Sequence, residues 1–526
     1  MSDEGPGKGR EASRNRSGVD KKDDSSTVAA RPGGPFGTRP PMTMIQPMAA
    51  QHFDLIVLGS GPAGEKGAAY AAGLGKRVAL VEKEAILGGT VANTGTLPSK
   101  TMREAAVYLS GYRQRGIHGV NVSLQDHLTT QDLLYRERLV RQLEQARIRS
   151  YLDQSHVALF HGAAAFVDPH TVRVRSGVGG GGAEEYLVGN TLLIATGASP
   201  VRPEPWPASH PTLYDSETIL QMREIPERMV IVGGGVIGCE YACIFATLGV
   251  KVTLVSEDDR LLPFLDFDVS MALVANMRAA GVDVKLADHV VAVRHGVTLA
   301  LVLKSGSALS GSIVLLALGR HGNTASLNLG AAGLAADDRG LLQVDEHNQT
   351  AQANIYAAGD VIGFPALASA AREQALRAMV HAFSPDKERE ATLIQPYGIY
   401  TIPECSMAGQ TEEKLSAAGI PWVAGMAHYS ANARGQIIGA RSGFVKLLYH
   451  RETLKLLGVH VFGEGASELV HTGLVALHMG ATAQTFVDLS FNYPTLGELY
   501  KSATLDALAK RAPAAPPGAS ILRPKG

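Results

Sequence analysis

A glycine-rich turn that follows a strand and opens a helix constrains the fold of this chain more than any other feature. Phe53–Leu58 is a short apolar run that predicts a strand, and the sequence GSGPAG follows it directly, from Gly59. A helix is predicted as far as about Leu74, and a second strand, RVALVE, ends at Glu82. The strand, the turn, the helix and the acid at the strand end are together typical of a dinucleotide-binding site.

Each glycine of this turn has its own physical reason. Gly59 allows the tight turn, Gly61 lets the backbone approach a pyrophosphate, and Gly64 lets the helix pack closely on the strand. The N-terminus of the helix offers free N–H donors and the positive end of a dipole to the phosphates. Glu82 is expected to accept hydrogen bonds from ribose hydroxyls.

The same pattern recurs later in the chain. Met229–Val232 predicts a strand, a turn with Gly233, Gly235 and Gly238 follows, and a helix is predicted through Leu248. Two such units predict an α/β protein with two Rossmann-like dinucleotide-binding domains. Two dinucleotides bound to one chain also predict electron transfer between them.

The second unit differs from the first at the end of its second strand, where the residue decides between NAD and NADP. Its second strand, KVTLVS, ends at Ser256, and Glu257, Asp258 and Asp259 follow. An acid at the strand end favours NAD, whereas an arginine there accommodates the 2′-phosphate of NADP. Ser256 leaves room for both nucleotides, the acidic run favours NAD, and Arg260 is the nearest cation.

Composition excludes several classes of function. A chain of 526 residues with a net charge of −1 predicts about three domains and no bulk attraction to nucleic acid or to an anionic membrane. No secretory signal or membrane-spanning run is visible, and the three cysteines, Cys239, Cys243 and Cys405, are too few for a disulfide framework. We therefore expect a cytoplasmic protein. Cys239 and Cys243, one helical turn apart, are expected to be buried, and no metal site is predicted.

The two ends of the chain are predicted to lie outside the folded domains. Residues 1–52 are rich in glycine, proline, serine and charge, and residues 509–526 are rich in proline and alanine, so both are expected to be disordered. Met42, Met44 and Met48 stand just before the first strand. A misassigned start site is therefore an alternative explanation of the N-terminal extension.

Further motifs identify a family. Leu192–Pro200 reads LLIATGASP, Val314–Arg320 reads VLLALGR, and Ile355–Asp360 reads IYAAGD. In this order, with the turn at Gly59, they resemble the pyridine nucleotide–disulfide oxidoreductase superfamily, and the resemblance runs from about Phe53 to Leu508.

The resemblance implies FAD at the first site and a nicotinamide dinucleotide, NAD or NADP, as substrate at the second. It implies an FAD domain split into residues 53–200 and 318–395, a nicotinamide domain at 201–317, and an α+β dimerisation domain at 396–508. Within the last, a hairpin is predicted around the turn at His450–Thr453. A homodimer is therefore expected, with nicotinamide dinucleotides as the other binding partners and no nucleic acid or membrane.

The resemblance also assigns binding residues. Those implied for FAD are Gly59, Gly61, Gly64, Glu82, Gly88, Gly89, Thr90, Val91, Lys100, Gly162, Thr196, Gly197, Asp360 and Ala368. Those implied for the nicotinamide dinucleotide are Gly233, Gly235, Gly238, Ser256, Gly319 and Arg320. Arg320 has two predicted roles, which are contact with the nucleotide and attachment of its domain to the FAD domain.

The redox machinery of the disulfide-reducing members is missing. They carry a Cys-x4-Cys pair in the segment GGTVANTGTLPSKT, where this chain has Val91 and Thr96. They also carry a His-x-His-Pro motif near the C-terminus, where this chain reads FNYPT with Tyr493. A phenol is a poor proton shuttle at neutral pH, so Tyr493 is expected to pack at the dimer interface. A role in interface packing is likewise expected for His471 and His478.

One branch of the superfamily lacks this machinery, the soluble flavin-dependent pyridine nucleotide transhydrogenases. NTGTLPSKTMREA and GGGVIGCEYACIFATLG resemble its segments, although that branch usually retains the first cysteine, which Val91 replaces here. The resemblance implies that Lys100 lies beside flavin N5 and pairs with Glu240, so these two are the predicted catalytic residues. The predicted reaction is ping-pong hydride transfer from NADPH through FAD to NAD+.

Two other functions remain open from the sequence. Reduced flavin without a thiol relay can pass electrons to quinones or other acceptors, so an NAD(P)H dehydrogenase is the first alternative. The second is a flavoprotein retained as an interaction subunit after its catalysis decayed. Intact glycine turns together with Lys100 and Glu240 argue against that decay.

Overall fold

The structure is a computed structural model that describes residues 50–111, 128–177, 182–387, 394–440 and 442–511. The predictions of disorder for residues 1–49 and 512–526 lie outside these residues. Within the described ranges, no helix combines the length and the apolar character needed to cross a bilayer.

Strands and helices follow one another along most of the described chain. Up to residue 200 the chain comprises β1 (Gln51–Leu58), α1 (Pro62–Gly73), β2 (Val78–Glu82), α2 (Gly89–Asn93), α3 (Thr96–Leu109), α4 (Thr130–Gln154), β3 (Ala158–His161), β4 (Ala163–Phe166), β5 (Thr171–Arg175), β6 (Glu184–Ile194) and β7 (Ala198–Pro200). It continues with β8 (Leu213–Asp215), β9 (Arg228–Val232), α5 (Val236–Thr247), β10 (Lys251–Val255), α6 (Phe267–Ala279), β11 (Asp283–Lys285), β12 (Val290–Arg294), β13 (Ala300–Leu303), β14 (Ala308–Ser310), β15 (Ile313–Leu316) and β16 (Arg320–Gly322). It ends with β17 (Ile355–Ala357), α7 (Ala368–Phe383), β18 (Tyr397–Ile399), β19 (Glu404–Gly409), α8 (Glu412–Ala417), β20 (Trp422–His428), α9 (Ala433–Ile437), β21 (Phe444–His450), β22 (Leu456–Gly463), α10 (Ala466–His478), α11 (Ala483–Asp488) and α12 (Glu498–Arg511).

The first unit is a sheet with the order β3-β2-β1-β6-β5-β4, and β17 also pairs with β6. β1, β2, β3, β6 and β17 run parallel, whereas β4 and β5 form an antiparallel extension. Residues Leu55 to Leu58 of β1 are almost fully buried, as expected for a central parallel strand that is covered on both faces. The first glycine turn leaves this central strand at its carboxyl end.

The second unit is a parallel sheet with the order β11-β10-β9-β15-β8, next to a three-stranded antiparallel sheet β12-β13-β14. Its central strand β9 leads into the second glycine turn, just as β1 leads into the first. In parallel α/β sheets, ligands bind beyond the carboxyl ends of the strands. Both glycine turns lie at such an end.

The third unit is an antiparallel sheet with the order β18-β19-β22-β21-β20, packed against α10 and α12. The predicted hairpin is present as β21 and β22, joined by residues 451–455 with Leu454 in a left-handed conformation. The predicted fold class, two Rossmann-like units with a C-terminal α+β unit, is confirmed.

Two predicted edges of the folded region are wrong by a few residues. β1 begins at Gln51 rather than at Phe53, because Gln51 and His52 continue the pairing with β6. At the other end, α12 continues to Arg511 rather than ending at Leu508. An ion pair from Lys510 to Asp506 and hydrogen bonds from Arg511 to the carbonyls of Arg451 and Glu452 hold this last turn.

Candidate functional site

The first glycine turn has the close packing and the open space that its sequence predicts. A Cβ on Gly64 would lie 1.8 Å from the carbonyl oxygen of Gly59, and Gly59 itself has a φ of +102°. A Cβ on Gly61 would meet no atom within 4 Å. No side chain caps the N-terminus of α1, so its N–H groups face this open space. The turn can therefore receive a phosphate group.

Glu82 is fixed by the turn beside it. Its Oε2 accepts hydrogen bonds from Ser60 N at 2.9 Å and from Ser60 Oγ at 2.6 Å, and its Oε1 accepts one from Glu84 N at 3.0 Å. Ser60 Oγ in turn accepts a hydrogen bond from Gly88 N at 2.9 Å. Sequence reasoning missed Ser60, which joins the strand-end acid to the Gly88–Val91 segment.

The Gly88–Val91 segment lies against the first turn. Gly88 has a φ of +98°, and a Cβ on Gly89 would lie 3.1 Å from Cα of Gly61. Val91 is the third residue of α2 and Thr96 is the first residue of α3, so both positions of the missing cysteines lie within the first turn of a helix. Gly162 is held at the same edge of the sheet, where its N–H donates to the carbonyl of Glu82 at 2.9 Å.

Two polar side chains near the first turn make no hydrogen bond to another residue in the described part of the chain. Thr196 Oγ1 is buried without a hydrogen bond. The Asp360 carboxylate accepts none from the described residues, and burial raises its pKa, while the Arg320 guanidinium lowers it. Gly197 follows Thr196, and Ala368 begins α7. An unsatisfied hydroxyl and an unsatisfied carboxylate are what a ligand rich in hydroxyl groups requires, so the site fits FAD.

Lys100 joins the two dinucleotide units. Lys100 lies on α3 of the first unit and Glu240 on α5 of the second, and Lys100 Nζ lies 2.6 Å from Glu240 Oε2. Glu240 Oε1 accepts a hydrogen bond from the N–H of Tyr400 at 2.9 Å, and the ammonium group lies 5.1 Å from the centroid of the Tyr400 ring. The Glu240 side chain is 5% exposed and the Lys100 side chain 24%. Lys100 is therefore a fixed cation that a ligand can still reach. Tyr400 was not predicted from the sequence.

Arg320 contacts both units. It lies on β16, which pairs with β7, and its Nη2 donates to the carbonyl of Ala198 and to Thr90 Oγ1, the latter at 3.3 Å. Nη2 also lies 3.1 Å from Glu217 Oε1, and Nη1 lies 3.4 Å from Ser216 Oγ. Of the two predicted roles, these contacts support the attachment of the two units. Contact with the nucleotide stays a prediction, as does the role of the preceding Gly319.

The second glycine turn repeats the geometry of the first. A Cβ on Gly238 would lie 1.9 Å from the carbonyl oxygen of Gly233, and a Cβ on Gly235 would meet no atom within 4 Å. Ser256 is almost fully buried, and a Cβ on Gly234 would lie 2.3 Å from its Oγ. The turn opens into a cavity of about 340 Å³ that Ser256 also lines.

The cysteines cannot replace the missing redox pair. Cys239, Cys243 and Cys405 are all free and buried, as predicted for the first two. Burial raises the pKa of Cys243 and of Cys405 to about 12, and it raises that of Cys239 as well. All three thiols therefore remain protonated at neutral pH and are poor nucleophiles.

Three other predicted side chains belong to the third unit. Tyr493 is 71% exposed, and His471 and His478 are exposed on α10. Packing of these three residues at a dimer interface stays a prediction.

Comparison with known proteins shows the family to which these dinucleotide-binding units belong. Residues 53–375 match the family described as pyridine nucleotide-disulphide oxidoreductase, and residues 395–504 match the dimerisation domain of that family. The soluble pyridine nucleotide transhydrogenase of Mycobacterium tuberculosis (strain ATCC 25177 / H37Ra) is 43% identical over 461 residues, which cover 88% of this chain and 98% of that protein. The protein of the same name from Hahella chejuensis is 41% identical over 467 residues, which cover 88% of this chain and 99% of that one.

Solved structures show the same fold. LpdA from Mycobacterium tuberculosis superposes with a TM-score of 0.78 at 25% identity, over 87% of this chain and 99% of that one. The HOCl-induced flavoprotein disulfide reductase RclA from Escherichia coli superposes with a TM-score of 0.76 at 27% identity, over 86% and 99% of the two chains. The predicted resemblance is confirmed, and the chain belongs to the pyridine nucleotide-disulphide oxidoreductase family.

Proposed function

We propose that this protein is an FAD-dependent transhydrogenase that moves hydride between NADPH and NAD+ without a redox-active disulfide. The observation that carries the proposal is the ion pair between Lys100 and Glu240, which joins the two dinucleotide units at 2.6 Å. All three thiols of the chain, by contrast, are buried and protonated. The similarity to soluble pyridine nucleotide transhydrogenases over 88% of the chain supports the same reaction.

The first unit would hold FAD. The uncapped N-terminus of α1 and the space at Gly61 suit its pyrophosphate, Glu82 suits the adenosine ribose, and Asp360 suits the ribityl chain. Bound FAD supplies the group that accepts hydride from one nicotinamide and returns it to another. The protein's own task is to bind, to orient and to place charge.

The second unit would hold either nicotinamide dinucleotide in turn. The helix that begins beside Gly235 at the pyrophosphate also carries Glu240, which lies two residues after Gly238. Binding at this turn therefore places a nucleotide on the helix that positions Lys100.

Lys100 would stabilise negative charge that develops near it during hydride transfer. The position of its ammonium group is fixed, because this group donates a hydrogen bond to Glu240, and Glu240 in turn accepts one from the N–H of Tyr400. A cation that is oriented before the reaction lowers the barrier without a reorganisation cost at the moment of transfer. Pairing with Glu240 also limits the cost of holding the ammonium group in a half-buried position.

The proposal includes a homodimer in the cytoplasm. Residues 395–504 of the chain match the dimerisation domain of the family. Tyr493, which is 71% exposed in the single chain, would then lie at the partner's flavin site.

Double-mixing stopped-flow absorbance of the FAD-loaded protein tests the proposal. The protein is reduced anaerobically with NADPH and then mixed with the thio-analogue of NAD+. The expected result is fast loss of the flavin absorbance followed by its fast return as the analogue is reduced. Return with a quinone but not with the analogue would replace the proposal by an NAD(P)H dehydrogenase. If the flavin absorbance is lost with neither NADPH nor NADH, the nicotinamide site does not work. That result is the one expected for a subunit whose catalysis has decayed.

A further inference from the structure

The cavity at the second glycine turn has an unusual charge for a site that must admit NADP(H). Its lining includes four carboxylates, and they belong to Glu204, Glu257, Asp258 and Asp288. Among the described residues that line it, there is no lysine or arginine, and His289 is the basic residue. A 2′-phosphate at this turn would therefore meet repulsive charge with a single imidazole to offset it.

Two nearby cations, Arg260 and Lys285, are directed to other partners. Arg260 Nη1 lies 2.7 Å from Glu413 Oε1, its Nη2 donates to the carbonyl of Pro263 at 2.6 Å, and its guanidinium lies over the ring of Phe267. Lys285 Nζ lies 3.2 Å from Asp283 Oδ2. The sequence leaves open whether Arg260 turns back to the nucleotide, and the structure shows it bound to the third unit instead.

His289 is held at the cavity by its backbone. Its N–H donates to Asp288 Oδ1 at 3.0 Å, and its carbonyl accepts from Lys304 N at 2.9 Å. Asp288 is itself fixed, because Ser305 N donates to it at 3.2 Å, and hydrogen bonding from Ser305 is the main reason that the pKa of Asp288 is lowered. The His289 side chain is half-buried and makes no hydrogen bond to another described residue. It is thus available to a ligand.

We infer that His289 is the residue that admits the 2′-phosphate of NADP(H), and that the surrounding carboxylates make NAD(H) the more readily bound nucleotide. The inference rests on the proposed function and names the specificity residue of its second site. A site used by both nucleotides in turn cannot carry a strong phosphate-binding arginine, since that cation would favour NADP(H) alone. One imidazole among carboxylates is a weaker and therefore more permissive arrangement.

Two variants and one control test this inference. In His289→Ala and His289→Gln, kcat/KM for anaerobic flavin reduction by NADPH should fall about tenfold, the usual scale for loss of a charge-assisted hydrogen bond. The value for NADH should change by less than about twofold, which also shows that the variant is folded. His295→Ala, which removes an exposed histidine of the same unit, should leave both values unchanged.

Equilibrium binding gives a second readout. Calorimetric titration should show that His289→Ala weakens adenosine 2′,5′-bisphosphate but not 5′-AMP, and that Asp258→Asn strengthens the bisphosphate. Equal losses for both nucleotides, or no loss for either, would overturn the assignment of His289. Failure of the wild-type protein to reduce its flavin with either nucleotide would instead overturn the proposed function, so the two failures can be told apart.

Discussion

The two glycine turns share a backbone geometry, and among their differences one residue of the turn changes together with the residue at the strand end. In the first unit, Ser60 within the turn donates to the strand-end acid Glu82. In the second, Gly234 takes the place of Ser60 and leaves room for Ser256, whose Oγ lies where a Cβ at residue 234 would clash. A charged strand-end residue that the turn holds in place suits a dinucleotide that stays bound, whereas a small neutral one suits dinucleotides that must exchange. The turn residue and the strand-end residue therefore have to be considered together.

The largest expected effect comes from the glycines that both turns need. Gly64→Ala and Gly238→Ala place a Cβ 1.8 Å and 1.9 Å from a backbone carbonyl oxygen that cannot move without the strand. We expect Gly64→Ala to purify with little FAD, and Gly238→Ala to retain FAD while losing reduction by NADPH and NADH. Flavin absorbance per protein and stopped-flow bleaching measure the two effects. Gly73→Ala, whose Cβ would meet no atom within 4 Å, is the control.

These two variants together test whether the two units bind their dinucleotides independently. If Gly238→Ala also lost its FAD, the two turns would not be separable sites, and the comparison between them would fail.

Substitution of Lys100 tests the role of the ion pair that joins the two units. Lys100→Met should slow both flavin reduction and its reoxidation by about a hundredfold, the scale observed when a pre-oriented stabilising group is removed. Nucleotide affinity should change much less, because the cation acts on charge that develops during transfer. Lys83→Met, at a lysine that is 59% exposed, is the control for removal of one positive charge. A variant with weaker binding and an unchanged transfer rate would show that Lys100 only binds substrate.

Substitution of the two strand-end residues tests the difference between the turns directly. Glu82→Ala should weaken FAD by about tenfold or more, since it removes a buried acceptor and leaves the Ser60 donors unpaired. Ser256→Ala should change the KM for NADPH and for NADH by less than about twofold, because the site does not depend on a strong contact there. Equal losses at the two positions would contradict the contrast between a resident and an exchangeable dinucleotide. FAD dissociation and steady-state KM values are the measurements.

The smallest expected effect concerns Asp360 in the protein stripped of FAD. Burial raises the pKa of this carboxyl, so the folded state takes up a proton more readily than the unfolded chain and is penalised at neutral pH. Asp360→Asn should therefore stabilise the FAD-free protein slightly, by less than about 1 kcal/mol, and weaken FAD. The gain should disappear as the pH falls through the raised pKa towards the ordinary value. Thermal unfolding at several pH values checks this, and a gain that grows with acidification would contradict it.

Much of the fold could be predicted from sequence because its signals are local. A strand, a glycine turn and a helix occupy consecutive residues, so α1, α5 and the hairpin of β21 and β22 were all predictable. The ends of the folded region were not, because they depend on distant partners. Gln51 is ordered by β6, and Arg511 by carbonyls at Arg451 and Glu452.

The site divides along the same line. The spacing of the glycines and of Glu82 predicts their roles directly. The pairing of Lys100 with Glu240, 140 positions away, was predicted only through a family resemblance. Nothing in the local sequence shows that Arg260 turns to Glu413, or that His289 faces the second cavity. The first contact joins two units and the second joins distant segments of one unit, so no single segment encodes either of them.

The most direct test of a resident and an exchangeable dinucleotide is a set of steady-state initial rates with NADPH and the thio-analogue of NAD+. If both nucleotides use the second turn one after the other, double-reciprocal plots should be parallel. NADP+ should then compete with the analogue for the reduced enzyme. Intersecting lines, with NADP+ unable to compete with the analogue, would mean that both nucleotides bind together at different sites. That result would contradict the central claim that one exchangeable site serves both.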